Sequence, residues 1–248
     1  MAERWVEGTV TEKVEWTPQL FSLRVDAPVE AFEAGQFTKL ALEIGGEVVG
    51  RPYSIVNPPA ERPLDFYFGI VKRGHLSLRL AALRAGDRVL VGPRASGFLT
   101  LSEVPEGRAL WLLATGTGIG PFLSILRTVE PWRRFGRVVL AHAVRTAAER
   151  AYVDVIEGIE RAHPGAFAFV PFVSREATAF ALSGRIPQAI ADGRLEERAG
   201  AALDPEASRV MLCGNPDMVR DAAAALAARG FRKHRRREPG QILVENYW

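Results

Sequence analysis

Cysteine is almost missing from this sequence. The 248 residues hold one, Cys213, which has no partner for a disulfide within the chain and so points to a reducing compartment. Metal chemistry finds little support, because the four histidines, at positions 75, 142, 163 and 234, show no ligand spacing with one another or with Cys213. There is no nucleophile elbow, no paired-carboxylate signal and no P-loop Gly-Lys-Ser/Thr. Long apolar runs are also scarce. The most apolar stretch, ALWLLATGTGIGPFLSIL, is broken by three glycines and a proline, which argues against a membrane span. The opening MAERWVEGTV lacks a basic segment followed by an apolar one, so no signal peptide is expected. Net charge is only +3, and global electrostatics do not demand nucleic acid. The expectation is a soluble, cytoplasmic protein.

What is present suffices for a packed core: 48% of residues are hydrophobic and 25% charged. The two halves differ in pattern. Before residue 100, strand-like runs at 6–14, 20–25, 37–42, 48–56, 64–71 and 88–91 are separated by turn clusters such as Gly45-Gly46 and Asn57-Pro58-Pro59. Leucines at 76, 80 and 83 have helical spacing and mark one short helix over 76–83. This pattern predicts a small antiparallel barrel. Beyond residue 107, strand-like runs at 110–114, 138–143, 167–173, 210–213 and 242–244 alternate with helix-like runs at 121–129, 147–162, 186–191 and 216–228. Alternation of this kind predicts a doubly wound parallel sheet. The polar linker at 102–107, with Pro105 and Gly107, is the expected boundary, giving domains at 1–104 and 105–248.

The places for chemistry lie between these elements. An apolar strand ends at Ala114, followed by Thr115-Gly116-Thr117-Gly118-Ile119-Gly120, and Pro121 opens a helix. Glycines permit close backbone approach, and a helix N-terminus favours an anion. The spacing does not match G-x-G-x-x-G, so the loop is either a phosphate cradle or a tight strand-to-helix turn. The next strand runs out into Val144-Arg145. Arginines recur beyond later strands as Ser174-Arg175 and Gly184-Arg185. Ligands in open α/β folds bind at this carboxyl edge, and arginine offers planar paired donors to phosphate. The three arginines therefore suggest a clamp on the 2′-phosphate of NADP. The fourth strand ends Cys213-Gly214-Asn215-Pro216-Asp217, where Asn215 suits an N-cap, Pro216 the first helical position and Asp217 the helix dipole.

In the first half, Arg51-Pro52-Tyr53-Ser54 lies inside a strand, where proline predicts an edge or a bulge. Period-two geometry puts Arg51 and Tyr53 on one face and Ser54 on the other. Gly74-His75-Leu76-Ser77 opens the isolated helix and is a second candidate phosphate cradle. The aromatic run Phe66-Tyr67-Phe68-Gly69 reads as barrel core. The run from Arg232 to Arg237 is basic, either a solvated loop or a docking patch for an acidic partner. The chain finishes Glu245-Asn246-Tyr247-Trp248, two adjacent aromatics that either plug a core or cover a flat group.

Together, in this order and spacing, RPYS, GHLS, ATGTGIGP, CGNPDMV and the terminal ENYW resemble the bacterial-type ferredoxin (flavodoxin)–NADP reductases over essentially the whole chain. The resemblance implies an FAD-binding barrel and an NADP(H)-binding α/β domain. Arg51, Pro52, Tyr53 and Ser54 would contact FAD, with Tyr53 stacked on the isoalloxazine. Tyr67, Phe68 and Gly69 would pass beside the ring, and His75, Leu76 and Ser77 would offer backbone donors to the pyrophosphate. Thr117 would reach the flavin from the second domain, Tyr247 would cover its ring, and Trp248 would lie against the adenine. Arg145, Ser174, Arg175 and Arg185 match positions at the NADP 2′-phosphate, and Val144 belongs to the NADP site. Asn215, Pro216, Asp217 and Asp221 match others along the nucleotide, and Cys213 and Glu245 match positions beside the nicotinamide. Ser54, Cys213, Glu245 and Tyr247 are thus the implied catalytic group.

The implied reaction is hydride exchange between NADP(H) and FAD, with single electrons passed to an acidic carrier, ferredoxin, flavodoxin or both. The lack of an iron–sulfur cysteine set implies a reductase not fused to its ferredoxin, and nothing in the sequence suggests an obligate oligomer. A flavin reductase or the reductase component of an oxygenase shares these motifs and stays open as an alternative. No nucleic acid is expected as a partner, since the basic run has no interleaved aromatics.

Overall fold

The computed structural model describes residues 4–71 and 74–246, with only the backbone of Asn246. Tyr247 and Trp248, expected over the flavin and the adenine, lie outside the described residues. By its internal contacts the chain divides into two units, Met1–Thr100 with Gly120–Arg127, and Leu101–Ile119 with Thr128–Trp248.

The first unit is an antiparallel sheet of six strands: β1 (Val6–Thr17), β2 (Leu20–Asp26), β3 (Phe37–Ile44), β4 (Glu47–Ser54), β5 (Leu64–Gly69) and β6 (Arg88–Val91), in the order β4-β3-β6-β1-β2-β5. An antiparallel bridge from Ile55 to Phe66 joins the two ends of this order, so the sheet closes as a barrel. Alternation fills its interior. Phe21, Leu23 and Val25 from β2 are buried with Leu40, Phe66, Phe68 and Val91, whereas Arg24 and Asp26 face water. One helix, α1 (His75–Ala82), packs Leu76 and Leu80 onto this core.

The second unit is a wholly parallel sheet of β7 (Ala109–Thr115), β8 (Arg137–Val144), β9 (Phe167–Val173), β10 (Leu182–Ser183), β11 (Ser208–Gly214) and β12 (Ile242–Asn246), in the order β10-β9-β8-β7-β11-β12. Its central strands are nearly continuous apolar runs. Trp111, Leu113, Val139, Ala141, Val210 and Leu212 are each fully buried, as a sheet covered on both faces requires. The order steps outward one way from β7 through β8 to β10, and the other way through β11. The reversal between β7 and β11 is where a doubly wound sheet opens a ligand crevice.

Several elements differ from the sequence reading. The helix expected over 121–129 is α2 (Gly120–Leu126), and a second helix, α3 (Glu130–Arg134), follows. Pro131 cannot donate to a carbonyl one turn back, so the helix restarts around it. The helix expected over 147–162 is a 3-10 turn, Ala147–Glu149, and then α4 (Val153–Ala162). Between them Tyr152 adopts φ +59°, in the left-handed region, which no α-helix continues through. The strand β10 and the helix α6 (Arg194–Ala199), both short, were not expected at all. They flank the expected α5 (Ile186–Ala191), and α7 (Pro216–Ala227) ends one residue early. Helix α2 groups with the barrel unit: the Ser124 hydroxyl donates to the Asn57 carbonyl at 2.8 Å, and Arg127 pairs with Glu61.

Candidate functional site

In the barrel unit, Arg51, Pro52, Tyr53 and Ser54 end strand β4. Proline predicted an edge or a bulge; β4 is the end strand of the sheet order, and its register with β3 is unbroken from Phe37–Ser54 to Ile44–Glu47. So Pro52 sits on an edge without a bulge, where its missing N–H costs no ladder bond. Arg51 is exposed, and its guanidinium donates to the Gly50 carbonyl at 2.7 Å. Tyr53 meets Phe68 edge to face with centroids 5.6 Å apart. Burial pushes the Tyr53 phenol up to about 12, against a smaller opposing pull from Arg51, so it stays protonated and neutral. Ser54 is buried, on the opposite face. Tyr67 and Phe68 are buried on β5 and Gly69 is partly open.

Helix α1 begins after Gly74 with no side-chain cap. The Ser77 hydroxyl accepts from the Val71 N–H instead, at 3.0 Å. The first-turn N–H groups of His75, Leu76 and Ser77 thus lack the usual side-chain acceptor, and His75 is exposed beside them. Orphan donors at a helix N-terminus suit an anion. A guanidinium without a carboxylate partner among the described residues, an aromatic ring and this uncapped turn suit the phosphates and the flat ring of a flavin dinucleotide.

The glycine loop makes a tight turn from strand β7 into a helix. Residues Gly116–Ile119 form a 3-10 turn, and α2 starts at Gly120, which puts Pro121 second in the helix. Gly118 is where it is for contact: a Cβ there would stand 2.6 Å from the Cys213 carbonyl oxygen and 2.8 Å from the Gly214 Cα. Thr117, between them, is half-buried. The Thr115 hydroxyl accepts from the Asn215 N–H at 2.8 Å. The ends of β7 and β11 are therefore pressed together at the switch point. His142 supports them from β8, its Nε2 2.9 Å from the Gly116 carbonyl. Burial pushes this imidazole down to about 4, partly offset by that bond. It is neutral near pH 7 and donates through Nε2. The sequence reading missed His142, because a single histidine in an apolar strand has no local signature.

Cys213 and Glu245 lie directly opposite each other on β11 and β12. Cys213 is fully buried. The Glu245 Oε2 is buried with no hydrogen-bond partner among the described residues, and burial pushes its carboxyl up to about 7. A folded value above the unfolded one makes ionisation unfavourable in the native state. Stability should fall as pH rises from about 4.5 to about 7, at about 1.4 kcal/mol per pH unit inside that window. Denaturant titrations of wild type and E245Q across that range should diverge with this slope. Parallel curves would show that the carboxyl titrates normally.

The three predicted arginines come together. Val144, Ser174 and Arg185 follow one another across the carboxyl ends of β8, β9 and β10. The Arg175 N–H donates to the Arg145 carbonyl at 2.9 Å, and the Ser174 N–H to that of Val144 at 3.1 Å. Arg185 is the N-cap of α5. All three guanidiniums are exposed, and none pairs with a carboxylate among the described residues. Nearby arginines behave differently: Arg194 binds Asp192, Arg229 binds Glu196, and Arg220 binds both Asp217 and Asp221. Asn215 caps α7 by accepting from the Asp217 and Met218 N–H groups, with Pro216 in the first turn. Asp217 and Asp221 are therefore already engaged by Arg220.

The basic run stands elsewhere. Lys233 bridges Ile242, the first residue of β12, so the run lies at the amino edge of the sheet, opposite the arginine cluster. Arg236 is held by Glu103 through bonds of 2.6 and 3.2 Å, which keep the Glu103 carboxyl below its usual range. Among the described residues no set of three or more potential metal ligands comes together, and no helix is long and apolar enough to cross a membrane.

Comparison with known proteins converges on the same geometry. Residues 112–224 match the family model for the oxidoreductase NAD-binding domain. The chain is 50% identical to the flavodoxin/ferredoxin–NADP reductase of Escherichia coli strain K12 over 98% of this chain and 99% of that one. Among solved structures, a ferredoxin NADP+ reductase from Neisseria gonorrhoeae with bound FAD and NADP superposes with a TM-score of 0.94 at 34% identity, over the full length of both chains. A cytochrome P450 reductase from Amycolatopsis aligns with a TM-score of 0.78 at 28% identity, over 98% of this chain and 69% of that one. At half identity over nearly the full length of both proteins, and with a superposition that spans a reductase of the same kind from end to end, the conclusion is direct: the chain belongs to the flavodoxin/ferredoxin–NADP reductase family.

Proposed function

We propose that this chain is an FAD-dependent oxidoreductase that exchanges a hydride with NADP(H) and single electrons with ferredoxin or flavodoxin. The observation that carries the reading is the cluster of Arg145, Arg175 and Arg185 at adjacent strand ends, each without a carboxylate partner among the described residues. Unpaired exposed guanidiniums at the ligand edge are suited to a phosphate dianion.

When bound, FAD supplies the hydride and one-electron chemistry. The chain's part is binding and orientation. In this proposal residues 1–104 hold FAD: Arg51 and the first-turn N–H groups of His75, Leu76 and Ser77 hold the pyrophosphate, the neutral Tyr53 ring stacks on the isoalloxazine, and Ser54 donates near its edge. Residues 105–248 hold NADP(H), with Ser174 and the arginines at the 2′-phosphate and Val144, Asn215, Pro216, Asp217 and Asp221 along the nucleotide. Glu245 with its raised carboxyl holds or moves a proton beside Cys213, where the nicotinamide would lie. Cytoplasmic location, a monomeric state and an acidic carrier protein complete the proposal.

Purified protein should be yellow, and NADPH should bleach it without oxygen faster than NADH does. A colourless preparation that takes up no added FAD would end this reading. The structural likeness to the Amycolatopsis cytochrome P450 reductase favours a second one, in which the carrier belongs to an oxygenase system. Electron-transfer assays with ferredoxin, flavodoxin and an oxygenase component separate the two.

A further inference from the structure

Phe180 is a large apolar side chain that the protein leaves 38% exposed. It stands midway along the chain between Arg175 and Arg185, in the loop that leads from β9 into β10 at the carboxyl edge of the sheet. The ring is held in place. The Arg150 guanidinium carbon lies 4.3 Å from its centroid, covering one face. Arg198 donates to the Phe180 carbonyl at 3.0 Å. At the other end of the loop, the Glu176 carboxylate accepts the Ala147 N–H, and the Arg175 N–H is bonded to Arg145. One face of the ring is therefore covered by Arg150, while more than a third of the residue stays open to solvent.

We infer that Phe180, backed by Arg150, is a stacking platform for the adenine ring of the nicotinamide nucleotide, next to the arginines that take its 2′-phosphate. The physical case is one of placement and preorganisation. A guanidinium stack, a carbonyl bond and a tethered loop hold the ring in place before any ligand arrives. The guanidinium draws electron density toward the covered face and holds the ring rigid, so less freedom is lost when a second ring stacks. The neighbouring cations would seat a phosphate on the same ribose. Phe180 then contributes to affinity for the base, whatever the state of the 2′-position, whereas Arg145 and Arg175 distinguish NADP from NAD.

This inference rests on the NADP(H) reading above, and the test separates the two. Adenosine 2′,5′-bisphosphate and its abasic counterpart, ribose 2,5-bisphosphate, are titrated calorimetrically into the FAD-loaded protein. Wild type should bind both, the adenosine compound more tightly. F180A should bind the adenosine compound roughly tenfold more weakly, in the range of base–aromatic stacking losses, and the abasic compound unchanged. F180W should restore the difference. An R150M change should weaken the adenosine compound as well, through loss of the fixed ring. If F180A binds the adenosine compound as wild type does, the platform is refuted while the arginine clamp stands. If wild type binds neither compound, both readings fall together. Thermal unfolding of F180A should match wild type, since the ring is not part of the core.

Discussion

Changing Arg145 and Arg175 together to alanine should lower kcat/KM for NADPH by at least about a hundredfold and leave that for NADH nearly unchanged. Each guanidinium–phosphate bond is charge-assisted and worth about 1.5–3 kcal/mol, so the pair amounts to roughly two to four powers of ten. The two residues act on one group because their backbones are joined: the Arg175 N–H donates to the Arg145 carbonyl at 2.9 Å. Both side chains are exposed and pair with no carboxylate among the described residues, so the double variant should fold and melt as wild type does. Steady-state kinetics with both nucleotides is the measurement. An equal loss with NADPH and NADH would mean that the arginines act on a part of the nucleotide common to both, and the 2′-phosphate assignment would be wrong.

The second large effect is structural. Gly214→Ala should destabilise the parallel unit by about 3 kcal/mol or more, through backbone strain and overlap together. Gly214 has φ +132°, a conformation essentially confined to glycine, and a Cβ there would meet the Thr115 hydroxyl at 2.2 Å and the Thr115 carbonyl oxygen at 2.7 Å. Gly118→Ala lacks the unusual φ but would press 2.6 Å from the Cys213 carbonyl, so its cost is steric alone and should be smaller. Gly116→Ala has φ +53° and nothing within 4 Å, and should cost only about 1–2 kcal/mol, the left-handed penalty. Chemical denaturation should return that order. If Gly214 and Gly116 prove equivalent, β7 and β11 are not in close contact at the switch point, and the placement of Cys213 beside the glycine loop loses its basis.

Much of the candidate site was legible because its signals are local. Asn215, Pro216 and Asp217 announce a helix start within three residues, and α7 begins there with the Asn215 cap. Pro52 inside a strand announces an edge, and β4 is one. Arg145 and Arg175 each follow an apolar run and Arg185 precedes a helix, and a parallel sheet brings the ends of its strands to one side. Other features depend on partners distant in sequence. The role of Gly118 is set by Cys213, that of His142 by Gly116, and that of Phe180 by Arg150 and Arg198. The sequence left the glycine loop open between a phosphate cradle and a tight turn, because it shows the glycines but not the strand end that Gly118 packs against.

By itself the sequence determined the division into a β half and an alternating half, the apolar faces of their strands, and the residue types able to meet phosphate, flavin and nicotinamide. These follow from periodicity and from side-chain chemistry, which each residue carries with it. Only the tertiary structure decided which of those residues meet. It set the strand order that places β11 beside β7, the pairing of Glu245 with Cys213 in a dry environment that raises the carboxyl to about 7, and the engagement of Asp217 and Asp221 by Arg220. Strand order and burial are properties of long-range contacts, and the free energy that selects them is summed over the whole core, where no short stretch of sequence can show it.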